Sequence, residues 1–586
     1  MVAIPVFAIL VAEWTLNLAG VGEKTNAPLI YEQSNVDVQV FNPEYAGRYF
    51  DDFLPSVAFN PFQTNKSDGS VRIVVLGGST TAGFPYQFYY GFPATMERHL
   101  RATNPAGRVE VINLGMTAVN SYTLWDLRHI VVEMDPDLVV IYAGHNEYYG
   151  AFGAASSVNP VGNSPGFKRL VLRLKRTALY AGMEQVIGRA SSTDVAEHST
   201  NPVADRTLMA RVVGTADIEL GGDTYQQGVD QFVNNMNDIL DTFEDRNIPV
   251  LIGTLVSNLS DQAPLGDNAS ALEAWNAAKS SDCKTRGCNR DLFLQALDMD
   301  NIRFRAPSAL NEAIWQMSSR PSVEVLDLSS PFDSISTSGI PGYDLFVDHL
   351  HPTQAGYELM GRLFAERVSS LLELRTVPTG WPVSATLDPL EVSHSQIQIE
   401  RLLADYPFVK GRTTEEMAEF YLDQARKYKS GSLMDSIAAT LVAPPRPILA
   451  GLAEAIELLD ATRQSDPPDS DVLRLYESFF NWQPFNEPLM KSVISRSLSF
   501  PELDSMTVRL SSFAADRTND IFFWNSLGAV SVRKESAEIA HFALDRAESL
   551  DSNSALMLFN KARLYLSVGD TTSSRVYFQR YQQASQ

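Results

Sequence analysis

Between Arg72 and about Val368 the chain alternates short, β-branched apolar runs with stretches whose apolar residues recur every three or four positions. That alternation predicts an α/β fold on a parallel sheet. Five runs read as buried strands: Arg72–Leu76, Val109–Asn113, Leu138–Ala143, Pro249–Leu255 and Val323–Leu328. The clearest helix carries Val229, Phe232, Val233, Met236, Ile239, Leu240 and Phe243 on one face, and Asn247-Ile248-Pro249 ends it and opens the next strand. The segment Ser156–Gly222 is longer and less regular, and reads as an insertion near the functional face.

Beyond Leu374 the pattern changes. TVPTGWPVSATLDP reads as a linker, and helix follows helix after it. Trp524, Leu527, Gly528, Ala540, Leu544 and Ala547 fall where a tetratricopeptide repeat places its large and small packing residues. Leu558, Ala562, Tyr565, Gly569 and Phe578 follow at matching offsets one unit later. Upstream, from Ser393 to about Leu510, the helices are too degenerate to read as repeats. At the other end the chain is apolar up to Ala12, where Glu13 interrupts the run. This is shorter than the ~20 residues that span a bilayer, and no basic stretch of a signal peptide precedes it. It fits the outer half of a truncated membrane anchor, an interfacial helix or a buried N-terminal helix. The anchor is the expectation carried forward, with the rest of the chain outside the cytoplasm. The expected divisions are therefore 1–25, an N-terminal extension 26–70, an α/β domain 71–375 with its insertion at 156–222, a linker 376–392 and a helical domain 393–586.

Composition narrows the function classes. A chain of 586 residues, 45% apolar and 20% charged, is a folded protein of two or three domains. The net charge of -23 argues against a nucleic-acid partner, because phosphate binding needs clustered Lys and Arg. The two cysteines, Cys283 and Cys288, lack the neighbouring ligands a zinc site wants. They read either as a small disulfide loop in an oxidising compartment or as free thiols.

Four stretches carry chemistry. In IVVLGGSTTAGFP a strand ends in Gly77-Gly78 and Ser79 follows at its carboxyl end, where open α/β sheets place function. The bland reading is an ordinary glycine turn. No Lys follows, which excludes a P-loop, and Thr81 stands where a nucleophile elbow needs its second Gly. In VEVINLGMTAVNSYT the strand again ends in a glycine, Gly115, with an unobstructed N–H. In DLVVIYAGHNEYYG the strand delivers Asn146, whose amide donors suit an oxygen that becomes negative. In DLFVDHLHPTQAGYELMGRLF, Asp348 and His351 lie three apart before a helix that Pro352 is placed to start. A carboxylate beside a His fixes its tautomer and makes it a general base. The neighbouring His349 reads as structural, pointing elsewhere.

Ser79, Gly115, Asn146 and His351, in that order, resemble the four blocks of the SGNH (GDSL-like) hydrolases over about residues 70–370, and Asp348 matches as well. Gly78 stands where the family's commonest form has Asp, and Glu147 departs from the common Asp after Asn146. A narrower resemblance is to bacterial membrane-anchored SGNH proteins with a tetratricopeptide-like C-terminal region, through Ala143–Gly150, Arg303–Pro307 and Gly339–Pro352. The resemblance implies a flavodoxin-like three-layer sandwich with a parallel sheet, followed by an all-α tetratricopeptide-like domain. It implies a serine esterase with the triad Ser79, Asp348 and His351 and an oxyanion hole from Ser79, Gly115 and Asn146. The implied substrate is an acyl ester, acetyl on a glycan or a small molecule, with no metal or organic cofactor. An O-acyltransferase using the same serine, or a scaffold whose helical repeats bind a protein partner, are the competing readings. Periplasmic or extracellular location with membrane association through the N-terminus is the matching expectation. Arg303 and Arg305 read either as ligands for a carboxylate or sugar or as surface ion pairs. Phe84, Tyr86, Phe88, Tyr89, Tyr90, Tyr148 and Tyr149 read either as cleft lining or as core.

Overall fold

The computed structural model describes residues 3–22, 26–31, 38–50, 55–58, 60–86, 88–104, 109–158, 164–183, 186, 206–280, 286–375, 387–442, 478, 520–533 and 536–585. Two compact units divide the chain. The first comprises Met1–Ile30, Phe41–Asn60 and Gly69–Gly451, and the second Tyr31–Val40, Pro61–Asp68 and Leu452–Gln586. An N-terminal helix, α1 (Ala3–Leu18), comes first. A small sheet follows, formed by β1 (Leu29–Tyr31), β2 (Val38–Phe41) and β3 (Phe62–Gln63).

Five parallel strands form the centre of the first unit: β4 (Val71–Gly77), β5 (Val109–Asn113), β6 (Leu138–Tyr142), β7 (Val250–Gly253) and β8 (Val323–Leu326). Each lies on a run expected to be a strand. Continuous apolar runs are what a sheet covered on both faces requires, and every residue of β6 is buried. The order β5-β4-β6-β7-β8 reverses direction between β4 and β6, and such sheets bind ligands beyond the strand ends at that switch point. The strand β4 leads into a one-turn helix, α2 (Ser79–Ala82). On one face α3 (Phe92–Thr103) packs against α8 (Gln354–Leu371), with Phe92 stacked on Phe364 at 4.9 Å between ring centroids. On the other, α4 (Ser121–Glu133) packs against α6 (Asp223–Glu244), and Trp125 Nε1 donates to Asp238 Oδ2 at 3.2 Å. In α6 the expected apolar face is buried at Phe232, Met236, Ile239, Leu240 and Phe243, while Val229 and Val233 are half-buried, and α7 (Ser308–Met317) packs beside it. Asn247 takes φ +56° where the helix ends.

Two further pieces are tied to this core. From the insertion, α5 (Pro165–Leu174) runs into Arg176, which pairs with the buried Asp126 of α4 at 2.8 Å. Asp126 also accepts from Tyr45 Oη at 2.9 Å and Tyr49 Oη at 2.8 Å, which fastens the N-terminal extension. The second piece corrects the expected boundary. The helices α9 (Pro389–Leu403), α10 (Thr414–Lys429) and α11 (Leu433–Leu441) belong to the first unit, not to a separate helical domain beginning at 393. Asp405, fully buried, accepts from Arg206 Nε at 2.8 Å, from Thr207 N at 2.8 Å and from Thr207 Oγ1 at 3.0 Å. Tyr90 Oη donates to Asp388 Oδ2 at 3.0 Å. Most of the expected linker, 376–386, and Cys283 lie outside the described residues.

In the second unit α12 (Ile521–Arg533) pairs with α13 (Ala537–Leu550), and α14 (Ala555–Ser567) with α15 (Thr571–Ala584). The second pair begins 34 residues after the first at both helices. Gly528 admits Leu544, whose side chain would lie 2.5 Å from any Cβ there. Phe578, expected to pack, is exposed, and α15 contributes no buried residue. No helix among the described residues is long and apolar enough to cross a membrane.

Because Asp405 holds two segments 198 residues apart in sequence, Asp405→Ala is expected to destabilise the first unit. The cost should be about 2–3 kcal/mol, lowered from the fully buried case by the partial exposure of Arg206. Urea unfolding followed by tryptophan fluorescence measures it.

Candidate active site

Ser79 owes its position to two glycines. A Cβ on Gly77 would lie 2.0 Å from Thr81 Oγ1 and 2.2 Å from the Tyr142 carbonyl, so only glycine lets β4 turn so tightly beside β6. Gly78 caps α2, and Gly83 ends it at φ +102°. Ser79 is therefore the first residue of α2, among the residues whose N–H groups have no acceptor inside the helix.

The loop that carries Asp348 and His351 comes from the far end of the unit. Val347 N donates to the His351 carbonyl at 2.9 Å, closing a tight loop before α8. Inside it the Asp348 carboxylate accepts from Leu350 N and His351 N through Oδ1, each at 2.8 Å, and faces His351 Nδ1 through Oδ2 at 2.6 Å. His351 Nε2 then stands 2.7 Å from Ser79 Oγ. With Nδ1 donating to the carboxylate, Nε2 is the nitrogen left to accept the serine proton. Burial alone would raise the Asp348 carboxyl, but the charges and hydrogen bonds of His351 and His349 outweigh it and hold it well below the usual carboxylate range. His349 does not point elsewhere: its Nδ1 lies 3.2 Å from Asp348 Oδ1, and its ring stands edge-on to Phe304, His351 and Phe408. Asp348, His349 and His351 are the only group of metal-type ligands among the described residues. Hydrogen bonds among Ser79, His351 and Asp348 take up Asp348 Oδ2 and both nitrogens of His351.

Asn146 reaches the same place from the end of β6. It is half-buried, and its Nδ2 lies 3.2 Å from where a Cβ on Gly78 would be. Its loop is held by Glu147, fully buried, whose carboxylate accepts from Ser121 Oγ at 2.7 Å, Ser121 N at 3.2 Å and Gln231 Nε2 at 2.8 Å. Gln231 also donates to the Glu147 carbonyl at 2.6 Å. Burial pushes the Glu147 carboxyl up to about 7, against the lowering effect of Ser121, Gln231 and Lys168. This explains why α6 buries Gln231 and Asn235 on an otherwise apolar face, since Asn235 Nδ2 donates to Ser121 Oγ at 2.9 Å.

Gly115 is not placed as expected. Its N–H donates to Asn113 Oδ1 at 2.8 Å, and a Cβ there would lie 2.4 Å from Ala82 N. Its smallness lets the strand end press against the back of α2, where Asn113 Nδ2 also donates to the Thr81 carbonyl at 2.8 Å. An N–H that the sequence does not mark is that of Ala118, in the turn beside Gly78. This residue adopts φ +55°, its carbonyl accepts from Ala151 N at 3.2 Å, and no acceptor for its own N–H is found among the described residues. The flanking carbonyls of Met116 and Val119 lie within 4.0 Å of the Cβ position of Gly78, so this turn borders Gly78 and Asn146. An alanine carries no sequence signal for a left-handed backbone.

The secondary candidates resolve too. Arg303 and Arg305 are buried, neither ligands nor surface ion pairs. Arg303 donates to the Ile218 carbonyl at 3.0 Å and the Asp298 carbonyl at 2.7 Å. Arg305 donates to the Asn258 carbonyl at 2.9 Å and pairs with Asp300 at 3.2 Å. Asn258 in turn donates through Nδ2 to the Asp348 carbonyl and through its N–H to the His349 carbonyl, both at 3.0 Å, so Arg305 braces the loop of Asp348 and His351. Tyr90, Tyr148 and Tyr149 are core, whereas the Phe84 ring lies 4.5 Å from the His351 ring. The Phe88 side chain lies outside the described residues.

Gly115→Ala is expected to displace α2 and lower turnover of a test ester by at least about tenfold, with a stability loss of about 1–3 kcal/mol; steady-state kinetics and urea unfolding check both. Glu147 gives a pH signature. Its folded-state affinity for a proton is raised, so its contribution to stability is fully present below pH about 4.5 and lost as pH rises through about 7. Relative to Glu147→Gln, wild type should lose on the order of 2–3 kcal/mol between those limits, read from urea midpoints at the two pH values.

Residues 75–359 match the profile of the GDSL-like Lipase/Acylhydrolase family. No curated protein matches the chain. Among solved structures it is similar to a lipase/acylhydrolase from Enterococcus faecalis (18% identity, 53% of this chain and 100% of that chain covered, TM-score 0.28). It is also similar to a GDSL-like lipase from Bacteroides thetaiotaomicron (14%, 51% and 88%, 0.25). A third is a catalytic mutant of an acetylxylan esterase from Geobacillus stearothermophilus (12%, 55% and 100%, 0.27). The stretch that carries Ser79, Asn146, Asp348 and His351 is thus, in sequence, similar to the GDSL-like lipases and acylhydrolases.

Proposed function

We propose that the first unit is a serine esterase that cleaves a short acyl ester, with Ser79 as nucleophile, His351 as general base and Asp348 as its orienting carboxylate. The observation that carries this reading is the unbroken hydrogen-bonded line from Ser79 Oγ through both nitrogens of His351 to Asp348 Oδ2, at 2.7 and 2.6 Å. Ser79 Oγ attacks the ester carbonyl carbon as its proton passes to His351 Nε2. The tetrahedral oxyanion is held by Ser79 N–H, the Asn146 amide and Ala118 N–H, which takes the place first expected for Gly115. His351 returns the proton to the leaving alcohol, and water, activated by the same imidazole, releases the acyl group. The Phe84 ring stands 4.5 Å from the imidazole, beside the reacting groups, and a small acyl group, acetyl, is the one we favour there. A sugar hydroxyl is the leaving alcohol we favour, so that the substrate is an acetylated sugar.

A fluorophosphonate probe should label wild type, and Ser79→Ala should abolish the label. With a soluble acetyl ester, Asn146→Ala should lower kcat about 10²- to 10³-fold with little change in KM. Asp348→Asn should lower kcat about 10⁴-fold, because the amide stabilises the wrong tautomer and cannot hold an imidazolium. Labelling that survives in Ser79→Ala, or an Asn146→Ala enzyme of undiminished kcat, would refute the reading.

A further inference from the structure

We propose that His349 is a positioning residue for Asp348, and that Phe408, in the connection between α9 and α10, holds its ring beside that carboxylate. The chemistry rests on the esterase reading, and the proposal extends the site to a residue outside the stretch 75–359 that matches the family.

The backbone N–H groups that bind Asp348 Oδ1, those of Leu350 and His351, ride on the same loop as the carboxylate. They orient it within the loop. The other side chain that reaches it, besides His351, is His349, whose Nδ1 lies 3.2 Å from Oδ1. The approach is bent, and no other group among the described residues offers this nitrogen a partner. Burial keeps the His349 imidazole below its ordinary value, against the pull of Asp348, so the ring is neutral and carries a single N–H. Set beside an ionised carboxylate, that proton belongs on Nδ1.

A bent bond strengthens or fails with small movements of the donor, so what holds the ring decides what it contributes. Three rings stand edge-on to it: Phe408 at 5.4 Å between centroids, His351 at 5.7 Å and Phe304 at 6.1 Å. Phe304 sits between Arg303 and Arg305, both bonded to buried carbonyls, and packs on Tyr149 at 4.6 Å. Phe408 is fixed separately. Its N–H and that of Val409 both donate to the Asp405 carbonyl at 2.9 Å, while the Asp405 carboxylate binds Thr207. Arg412 Nη1 donates to the Ala404 carbonyl at 2.6 Å and closes the turn. The connection that anchors the insertion thus also presents a phenyl ring to the loop of Asp348 and His351. Space among these rings could be filled by leucine at no polar cost. A buried imidazole with its one N–H beside the carboxylate is what a positioning role requires.

The test separates the donor from the space it fills. His349→Asn keeps an N–H near the place of Nδ1 but leaves a gap beside Phe304 and Phe408. His349→Leu fills the gap and removes the donor. With a soluble acetyl ester, His349→Leu should lose about tenfold in kcat with KM little changed, while His349→Asn keeps most of it. Phe408→Ala should lower kcat about threefold, and should cost nothing further in a His349→Leu background. The far-downfield proton resonance of the His351–Asp348 hydrogen bond, read without substrate, should shift in His349→Leu and Phe408→Ala and stay in place in His349→Asn. Thermal melting confirms that each variant folds. A higher kcat in His349→Leu than in His349→Asn, or an unshifted resonance in folded His349→Leu, would overturn the proposal and leave His349 a packing residue. A Phe408→Ala loss that persists in full beside His349→Leu would overturn the part given to Phe408. If wild type turns over no ester the esterase reading fails, and the resonance still decides the positioning.

Discussion

The hydrogen bond from Ser79 to His351 spans 272 residues of sequence and is the constraint around which the first unit is arranged. A serine hydroxyl attacks a carbonyl only if its proton has somewhere to go, so the oxygen and the imidazole nitrogen must be held within a few tenths of an ångström. Neither group holds itself. Ser79 is fixed by glycines that let β4 and β6 close on the turn. His351 is fixed by a loop in which one carboxylate oxygen binds two backbone N–H groups while the other faces the ring. The parallel sheet supplies the common floor, because β4 and β6 end side by side at its switch point.

Around that floor, buried polar groups do what apolar packing cannot. Packing fixes distances between faces but leaves loops free, and each loop at this site is tied down by a charged or amide side chain inside the protein. Glu147 holds the Asn146 loop to α4 and α6, Asn113 holds the turn behind Ser79, and Arg305 holds the loop of Asp348 and His351 through Asn258. Such groups are costly to bury unless satisfied. Here nearly every donor meets a backbone carbonyl or carboxylate, so the same bonds that remove the cost also fix the geometry.

The strands were legible because a continuous apolar run of about five residues between glycine-rich turns is too short for a helix and fits a sheet covered on both faces. Ser79, Asn146, Asp348 and His351 were legible because each follows a strand or precedes a helix that the pattern itself defines. Gly115 was misassigned because a glycine after a strand suits a free N–H and a close approach equally well, and nothing local shows that Asn113 folds back to take the N–H. Ala118 was invisible because its left-handed backbone is imposed by its neighbours. Arg303 and Arg305 read as surface charge because carbonyl acceptors leave no mark in sequence. The boundary near residue 393 was misplaced for a similar reason, since the buried bond between Asp405 and Thr207 joins segments that composition separates.

The central claim is that three donors, Ser79 N–H, Ala118 N–H and the Asn146 amide, surround the point where charge develops. The most direct measurement is a crystal structure of the protein carrying a covalent methylphosphonate on Ser79, whose phosphoryl oxygen stands in for the oxyanion of an ester intermediate. The account expects that oxygen within about 3 Å of all three donors, with His351 Nε2 facing the leaving-group position. An adduct whose oxygen points into solvent, or toward Gly115 N–H released from Asn113, would contradict it.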